Sequence, residues 1–200
     1  MPSRKIVRDL LASGEIGRVY HMSANYCAPL TQVERLMQPE LAGGALLDLG
    51  VYGLNFALMH FGRDIARIDT TVRMTDTGVD GSEVVVLTYA DGRMATLTHS
   101  LFASGDSNVS FFGDKGRLVV DHVANPRAAL LYDAQGRLRR RVDMPPQITG
   151  YEYEAAECVA RIEAGERESL SMPLSETLFL MRLLDELRSR WGFVYPKEKI

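Results

Sequence analysis

The sequence has few cysteines and no strong excess of either charge. Neither of its two cysteines, Cys27 and Cys158, lies in a C-x-x-C or zinc-finger pattern, so we expect a reduced, cytoplasmic protein without disulfides. The net charge of −3 argues against a nucleic-acid-binding protein, which usually carries a strongly basic face. One basic run, residues 137–141 (RLRRR), is interpreted as the solvated edge of a strand, with an anion-binding patch as the alternative.

The chain also lacks several motifs that would identify its function directly. Charges recur every few residues in the N-terminal MPSRKIVRDLL, which excludes a signal-peptide core. We expect no bilayer-spanning segment, because that needs about 20 predominantly apolar residues. Neither G-x-G-x-x-G nor G-x-x-x-x-G-K-[ST] is present, so we do not expect this chain to bind a nucleotide by itself. The four histidines have no mutual metal-ligand spacing, and no metal site is expected.

The patterns that are present predict an ordered series of helices and strands. Apolar spacing predicts a first helix that ends at Ser13-Gly14, a central strand over residues 19–26, and a buried helix from Gly43-Gly44 to Gly62. Residues 28–41, between that strand and the buried helix, are expected to be irregular. The following β-rich region has strand composition at 65–74, 83–89, 94–101, 108–112 and 117–120, with short strands at 129–132 and 138–142.

Two C-terminal helices complete the series. Residues 151–164 are predicted to be helical, with Gly165 as the stop. The last helix is expected to be capped by Ser171 or Ser175. Its predicted apolar stripe consists of Leu174, Leu178, Met181, Leu184, Leu187 and Trp191.

This order predicts an α+β domain of two layers. A run of antiparallel strands flanked by helices forms a largely antiparallel open sheet with helices on one face. If the other face carries apolar side chains, a partner must cover it. We therefore expect a homodimer or tetramer that assembles through the open sheet face, and a single domain over residues 1–200.

The segment LAGGALLDLGVYGLN, residues 41–55, is the most informative. Asp48 lies in an otherwise apolar helix start, and Tyr52 follows four residues later, which places both side chains on one helical face. A carboxylate there is either paired or faces a solvent-filled cleft. In a purely structural interpretation, Asp48 bonds nearby backbone donors and Tyr52 is a core ring. Spacing alone favours that interpretation over a catalytic one.

The same segment closely resembles the signature of the glucose–fructose oxidoreductase / inositol dehydrogenase (Gfo/Idh/MocA) family, in the branch similar to glucose–fructose oxidoreductase and dimeric dihydrodiol dehydrogenase. Further stretches resemble the family's C-terminal domain in the correct order. They are residues 11–17 (LASGEIG), Val79-Asp80 with the strand 83–89, residues 112–118 (FGDKGRL), and residues 172–187. The resemblance therefore covers nearly the whole chain.

The resemblance implies a function and a set of site residues. Family members bind NAD or NADP in an N-terminal Rossmann domain and interconvert hydroxyl and carbonyl groups on sugars, cyclitols or related diols. Their catalytic aspartate, with histidine four residues on, matches Asp48 with Tyr52 in place of histidine. Arg35 precedes the glycine pair, where the family often places a substrate-side arginine. Asn55, one turn beyond Tyr52, is a second candidate for substrate binding, with helix packing as the alternative. The Glu-Lys-Pro motif and the glycine-rich loop have no counterpart in this sequence, so no cofactor-binding residue is assigned, and the chain is expected to begin where the Rossmann domain would end.

The chemistry of these residue types fits carbonyl reduction. A tyrosine is a reasonable acid at neutral pH, so we expect Tyr52 to relay a proton. Asp48 would orient Tyr52 or accept a hydrogen bond from a substrate hydroxyl. The expectation is the substrate-binding and oligomerisation domain of an NAD(P)-dependent oxidoreductase, inactive by itself. The alternative is a non-catalytic homo-oligomerising or carbohydrate-binding module without the nucleotide-binding domain.

Overall fold

The computed structural model describes residues 2–198, which form four α-helices and eight β-strands. The helices are α1 (Pro2–Ala12), α2 (Val51–Phe61), α3 (Tyr151–Glu163) and α4 (Leu174–Arg190). The strands are β1 (Val19–Cys27), β2 (Ile65–Met74), β3 (Asp80–Tyr89), β4 (Met94–Ser100), β5 (Val109–Gly113), β6 (Gly116–Val120), β7 (Ala128–Asp133) and β8 (Leu138–Asp143). The predicted elements are thus confirmed, with ends that differ by a few residues.

All eight strands belong to one open sheet with the order β2-β3-β4-β1-β5-β6-β7-β8. The pairs are antiparallel except β1 with β4, which are parallel. Strand β1 therefore lies in the centre, as its two-sided pattern predicted. The basic run lies on the edge strand β8, where Arg137 and Arg139 pair with Asp133. Charged side chains on an edge strand discourage pairing with another chain, which supports the solvated-edge interpretation.

One face of the sheet forms the hydrophobic core. Alternate strand residues such as Met22, Val85, Leu97 and Phe111 are fully buried. They belong to one cluster with buried residues of α1, α2 and α4. Residues of the opposite register, such as Val84, remain only half-buried. The predicted α+β fold is confirmed: a mostly antiparallel open sheet carries its helices on one face.

The buried helix has an unusual beginning. Two 3₁₀ turns, Glu34–Met37 and Pro39–Leu41, lead into a left-handed residue, Ala42 (φ 55°), and into Gly44 (φ 118°). Residues Leu46–Gly50 then form a π-helical turn that runs directly into α2. Such wide turns recur at functional sites. The segment from Pro39 to Phe61 is long and apolar enough to cross a membrane. However, 56% of its apolar stretch is buried inside the protein, and this burial in the core explains the apolar composition.

The last helix differs from its prediction in two respects. Neither Ser171 nor Ser175 caps α4, which begins after Pro173. Instead, the Leu174 amide donates to the carboxylate of Glu168 at 2.6 Å. The predicted stripe is also only partly correct. The buried leucines are Leu180, Leu183, Leu184 and Leu187, whereas the predicted Leu174, Leu178 and Met181 are exposed.

Candidate active site

Asp48 lies in the π-helical turn and points to the preceding 3₁₀ turn. The Arg35 guanidinium donates a hydrogen bond from Nη2 to Asp48 Oδ1 at 2.5 Å. Their side chains keep 55% and 25% of their surface exposed, respectively. The structure therefore brings together two of the residues that the sequence nominated, as a charge-assisted pair open to solvent on one side. The structural interpretation, in which Asp48 bonds backbone donors, does not describe this arrangement.

Tyr52 lies on the first turn of α2 and is 41% exposed, so it is not a core ring. Its ring packs edge-on against Tyr26, with ring centroids 5.7 Å apart, and Tyr26 packs in the same way against His122 at 5.5 Å. Within residues 2–198 the hydrogen-bond partner of Asp48 is Arg35 rather than Tyr52. The Tyr52 hydroxyl is thus supported by aromatic packing and is free to meet a ligand.

The electrostatic surroundings keep the Tyr52 phenol protonated. Partial burial raises the pKa of Tyr52, and the nearby phenols of Tyr151 and Tyr26 and the carboxylate of Asp48 raise it further. Partial burial, followed by Asp48, likewise raises the pKa of Tyr26. Burial lowers the pKa of His122, which favours its neutral form. Tyr52 is therefore protonated at neutral pH and can donate a proton in the direction of carbonyl reduction.

A cavity of about 390 Å³ adjoins this group. Tyr52 and Asn55 line it together with apolar side chains that include Phe56, Met59 and Met172. Asn55 is half-buried and faces the same cavity as Tyr52. The cavity has the size of a small-molecule site, and its lining also includes several polar and charged side chains that could fix the orientation of a ligand.

Three buried ionisable residues lie beneath the helix start, and sequence reasoning missed their role. Asp80, Glu83 and His99 are at most 1% exposed. His99 Nδ1 lies 3.0 Å from Glu83 Oε1. Burial raises the pKa of Glu83 and lowers that of His99 to about 3, so this pair is uncharged. The alternation in β3 could have found Glu83, because it shares its register with the apolar Val85.

Glycines allow the helix to approach these polar groups. A Cβ atom at Gly53 would lie 2.6 Å from His99 Nε2, and one at Gly50 would lie 3.1 Å from Glu83 Oε1. The backbone of the helix therefore rests on the Glu83–His99 pair. Within residues 2–198, no group of three or more His, Cys, Asp or Glu side chains could hold a metal ion.

Comparisons with known proteins agree with the geometry. Residues 5–119 match the model described as the GFO/IDH/MocA C-terminal domain. The chain is 31% identical over 203 residues to trans-1,2-dihydrobenzene-1,2-diol dehydrogenase of Danio rerio, covering 98% of this chain and 61% of that protein. It is 29% identical to scyllo-inositol 2-dehydrogenase (NADP(+)) of Bacillus subtilis (strain 168), covering 92% and 58%, respectively. The chain thus spans about three-fifths of the length of these relatives.

Solved structures share the fold. A 3-ketoreductase from Actinomadura kijaniata, in complex with TDP-benzene and NADP and in an open conformation, superimposes with a TM-score of 0.77 at 24% identity, covering 94% of this chain and 58% of that one. The aldose-aldose oxidoreductase from Caulobacter crescentus gives a TM-score of 0.81 at 18% identity, covering 96% and 59%. At these identities the likeness concerns the fold.

Proposed function

The chain belongs to the Gfo/Idh/MocA family of oxidoreductases, and we propose that it is the substrate-binding and oligomerisation domain of an NAD(P)-dependent enzyme acting on a sugar, cyclitol or related diol. The observation that carries this proposal is a partly exposed group, which we call the rim: Arg35 pairs with Asp48, and Asp48 lies near Tyr52. Of the three, Tyr52 lines the cavity, whereas Asp48 and Arg35 lie outside its lining. These residues come from two separate turns of the chain. Family membership indicates the reaction class, and the rim contains a proton donor and hydrogen-bonding side chains suited to that reaction.

Each residue of the rim has a separate role in carbonyl reduction. Tyr52 donates its phenolic proton to the oxygen of the substrate carbonyl as that oxygen gains charge. The phenolate that results regains a proton from solvent, to which the side chain is open. The Asp48 carboxylate accepts a hydrogen bond from a neighbouring substrate hydroxyl, while the hydrogen bond from Arg35 holds that carboxylate in place. The Asn55 amide offers a donor and an acceptor to a second hydroxyl.

The nicotinamide cofactor, NAD or NADP, supplies the hydride. The residues described do not fit the dinucleotide itself, because they contain no glycine-rich loop between a strand and a helix that could cradle its phosphates. We therefore assign no residue of this chain to cofactor binding. The proposal places the dinucleotide on a separate nucleotide-binding domain, and this chain is then inactive by itself.

The experiment expresses the complete reading frame that contains this sequence. It assays reduction of the ketones that correspond to trans-1,2-dihydrobenzene-1,2-diol and scyllo-inositol with NADH and with NADPH. It also assays the reverse oxidation with NAD⁺ and NADP⁺, in which the Tyr52 phenolate accepts the proton. Turnover that falls in Arg35→Met and Asp48→Asn, but not in Tyr20→Phe, supports the proposal. Tyr20 is a suitable control because it is an exposed tyrosine on β1 that stacks on Arg18. Unchanged turnover in both rim variants would reject it.

The 200-residue chain provides a second test, by titration with NADPH followed by fluorescence. Weak or no binding is expected. Tight binding would show that this chain binds the dinucleotide itself, and would reject the proposal that a separate domain does so. The non-catalytic module remains the alternative function, and it predicts no turnover from the complete reading frame with any diol.

Self-association through the open sheet face is part of the proposal. Val84 and Val86 are half-buried on that face, and Phe112 and Leu138 are exposed. Apolar side chains of this kind favour burial against a second copy. Sedimentation should show a dimer or tetramer that Val86→Lys dissociates. A monomeric wild-type protein would contradict this part. The two unpaired cysteines support a reducing, cytoplasmic location.

A further inference from the structure

The helix that carries Asp48 and Tyr52 begins on a carboxylate from another part of the chain. Asp80, at the start of β3, is completely buried. Its Oδ2 atom accepts a hydrogen bond from the Leu46 amide at 2.6 Å. Leu46 begins the π-helical turn that contains Asp48. The first amides of a helix lack partners within it, so the Asp80 oxygen satisfies a donor that would otherwise be unpaired.

Gly44 makes room for this carboxylate. A Cβ atom at Gly44 would lie 2.1 Å from Asp80 Oδ1, and the φ of 118° is one that side-chain-bearing residues rarely adopt. The Gly44 amide donates in turn to the Leu36 carbonyl at 2.9 Å. Leu36 follows Arg35 directly. Asp80 thus lies where the Arg35 turn and the Asp48 helix meet.

A second contact fixes the same loop from the C-terminal side. The Tyr195 hydroxyl donates to the Gly43 carbonyl at 2.6 Å, and Tyr195 is itself buried. The two glycines are therefore held between a carboxylate on one side and a phenol on the other. The relative position of Arg35 and Asp48 depends on this clamp, because their own contact is an exposed pair that solvent screens.

We propose that Asp80 is the positioning residue of this site, and that its carboxylate sets the helix start and hence the placement of Asp48 and Tyr52 relative to Arg35. Asp80 is not among the residues that line the cavity, and it acts through the backbone of Ala45 and Leu46 and the space beside Gly44. Its importance for turnover rests on the function proposed above. Its effect on geometry does not.

The charge state of Asp80 gives the proposal a direct readout. Burial, followed by the nearby Glu83, raises the pKa of Asp80 to about 7. Asp80 in turn acts to raise the pKa of His99 of β4 and that of Tyr195. Its Oδ1 atom has no hydrogen-bond partner among the described residues. The Leu46 amide should therefore sense the ionisation of Asp80 in the neutral pH range.

The experiment uses two-dimensional ¹⁵N NMR of the whole chain, together with ¹⁹F NMR after incorporation of 3-fluorotyrosine. Tyr52→Phe assigns the Tyr52 fluorine signal. The variants are Asp80→Asn, which keeps an acceptor for the Leu46 amide, and Asp80→Ala, which removes it. Val85→Ala is the matched control, because it opens a cavity on the same strand without touching the loop.

The Leu46 amide shift should titrate with a midpoint near 7 in the wild type and should not titrate in Asp80→Asn. The Tyr52 fluorine signal should move in Asp80→Ala and keep its position in Asp80→Asn and Val85→Ala. A Leu46 amide that does not titrate, or a Tyr52 signal that moves equally in Asp80→Ala and Val85→Ala, would overturn the proposal. If Asp80→Ala does not fold, the wild-type and Asp80→Asn titrations decide.

These results are independent of enzymatic activity. If Tyr52→Phe leaves turnover intact while the Leu46 amide and the Tyr52 signal behave as expected, the proposed function fails and the positioning role of Asp80 stands. If turnover depends on Tyr52 but neither NMR signal responds to the substitutions at Asp80, only the positioning role of Asp80 is rejected.

Discussion

The buried carboxylate of Asp80 should make the protein less stable as the pH rises from 4 to 8. In the unfolded chain this group ionises with its usual pKa of 3.8, whereas burial raises the folded-state pKa to about 7. The unfolded chain therefore releases the proton first, and the stabilisation present below pH 3.8 is lost as the pH rises through 7. At about 1.4 kcal/mol for each pH unit between the two values, the loss is about 4 kcal/mol.

The comparison of the wild type with Asp80→Asn isolates this contribution. Glu83 and His99 also titrate abnormally, but they are present in both proteins and largely cancel in the difference. Urea unfolding can be followed by the fluorescence of the single tryptophan, Trp191, which is hydrogen-bonded to Thr70. Relative to Asp80→Asn, the wild type should lose about 4 kcal/mol of unfolding free energy between pH 4 and 8.

A difference that stays constant within about 1 kcal/mol over this range would refute the reasoning. It would mean that Asp80 ionises as freely in the folded protein as in the unfolded chain. A difference that grows in the opposite direction, with the wild type gaining stability as the pH rises, would mean that the carboxylate has a cationic partner.

Two further predictions concern packing. Gly53→Ala should cost about 1–3 kcal/mol in urea unfolding, because the added methyl group meets His99 Nε2 at 2.6 Å; a cost that is not smaller in a His99→Ala background would contradict the contact. Leu187→Ala should cost about 2–5 kcal/mol, because this side chain is fully buried, whereas Leu178→Ala, at 57% exposed, should stay within about 0.5 kcal/mol. Equal losses would contradict the burial pattern of α4.

The strands were predictable because their turns and alternation are local signals. Glycine-containing turns and period-two patterns located all eight strands to within a few residues. The parallel pairing of β1 with β4 was not predictable in this way, since it depends on which strand meets which across the sheet. The burial of α4 was mispredicted for a similar reason. Its leucines form more than one possible stripe, and contacts with the sheet decide which one is buried.

The candidate site, too, was predictable only where its signals are local. Asp48 and Tyr52 stood out because a carboxylate and a phenol interrupt an apolar segment, and the family resemblance added Arg35. The contact between Arg35 and Asp48 depends on a π-helical turn and a left-handed residue, Ala42, neither of which has a distinctive local pattern. The sequence marked Asp80 only as part of a stretch that resembles the family's C-terminal domain, and its role emerges from a contact with a backbone amide 34 residues away in sequence.

The central claim is that Tyr52 donates the proton in an NAD(P)-dependent reaction. The most direct test is the kcat of Tyr52→Phe in the complete reading frame, measured beside Tyr20→Phe. Because Tyr52 is 41% exposed, its substitution should leave the melting temperature nearly unchanged, while kcat should fall by about 100-fold or more. A kcat for Tyr52→Phe within about 3-fold of the wild type, in an enzyme that turns over a diol, would contradict the claim.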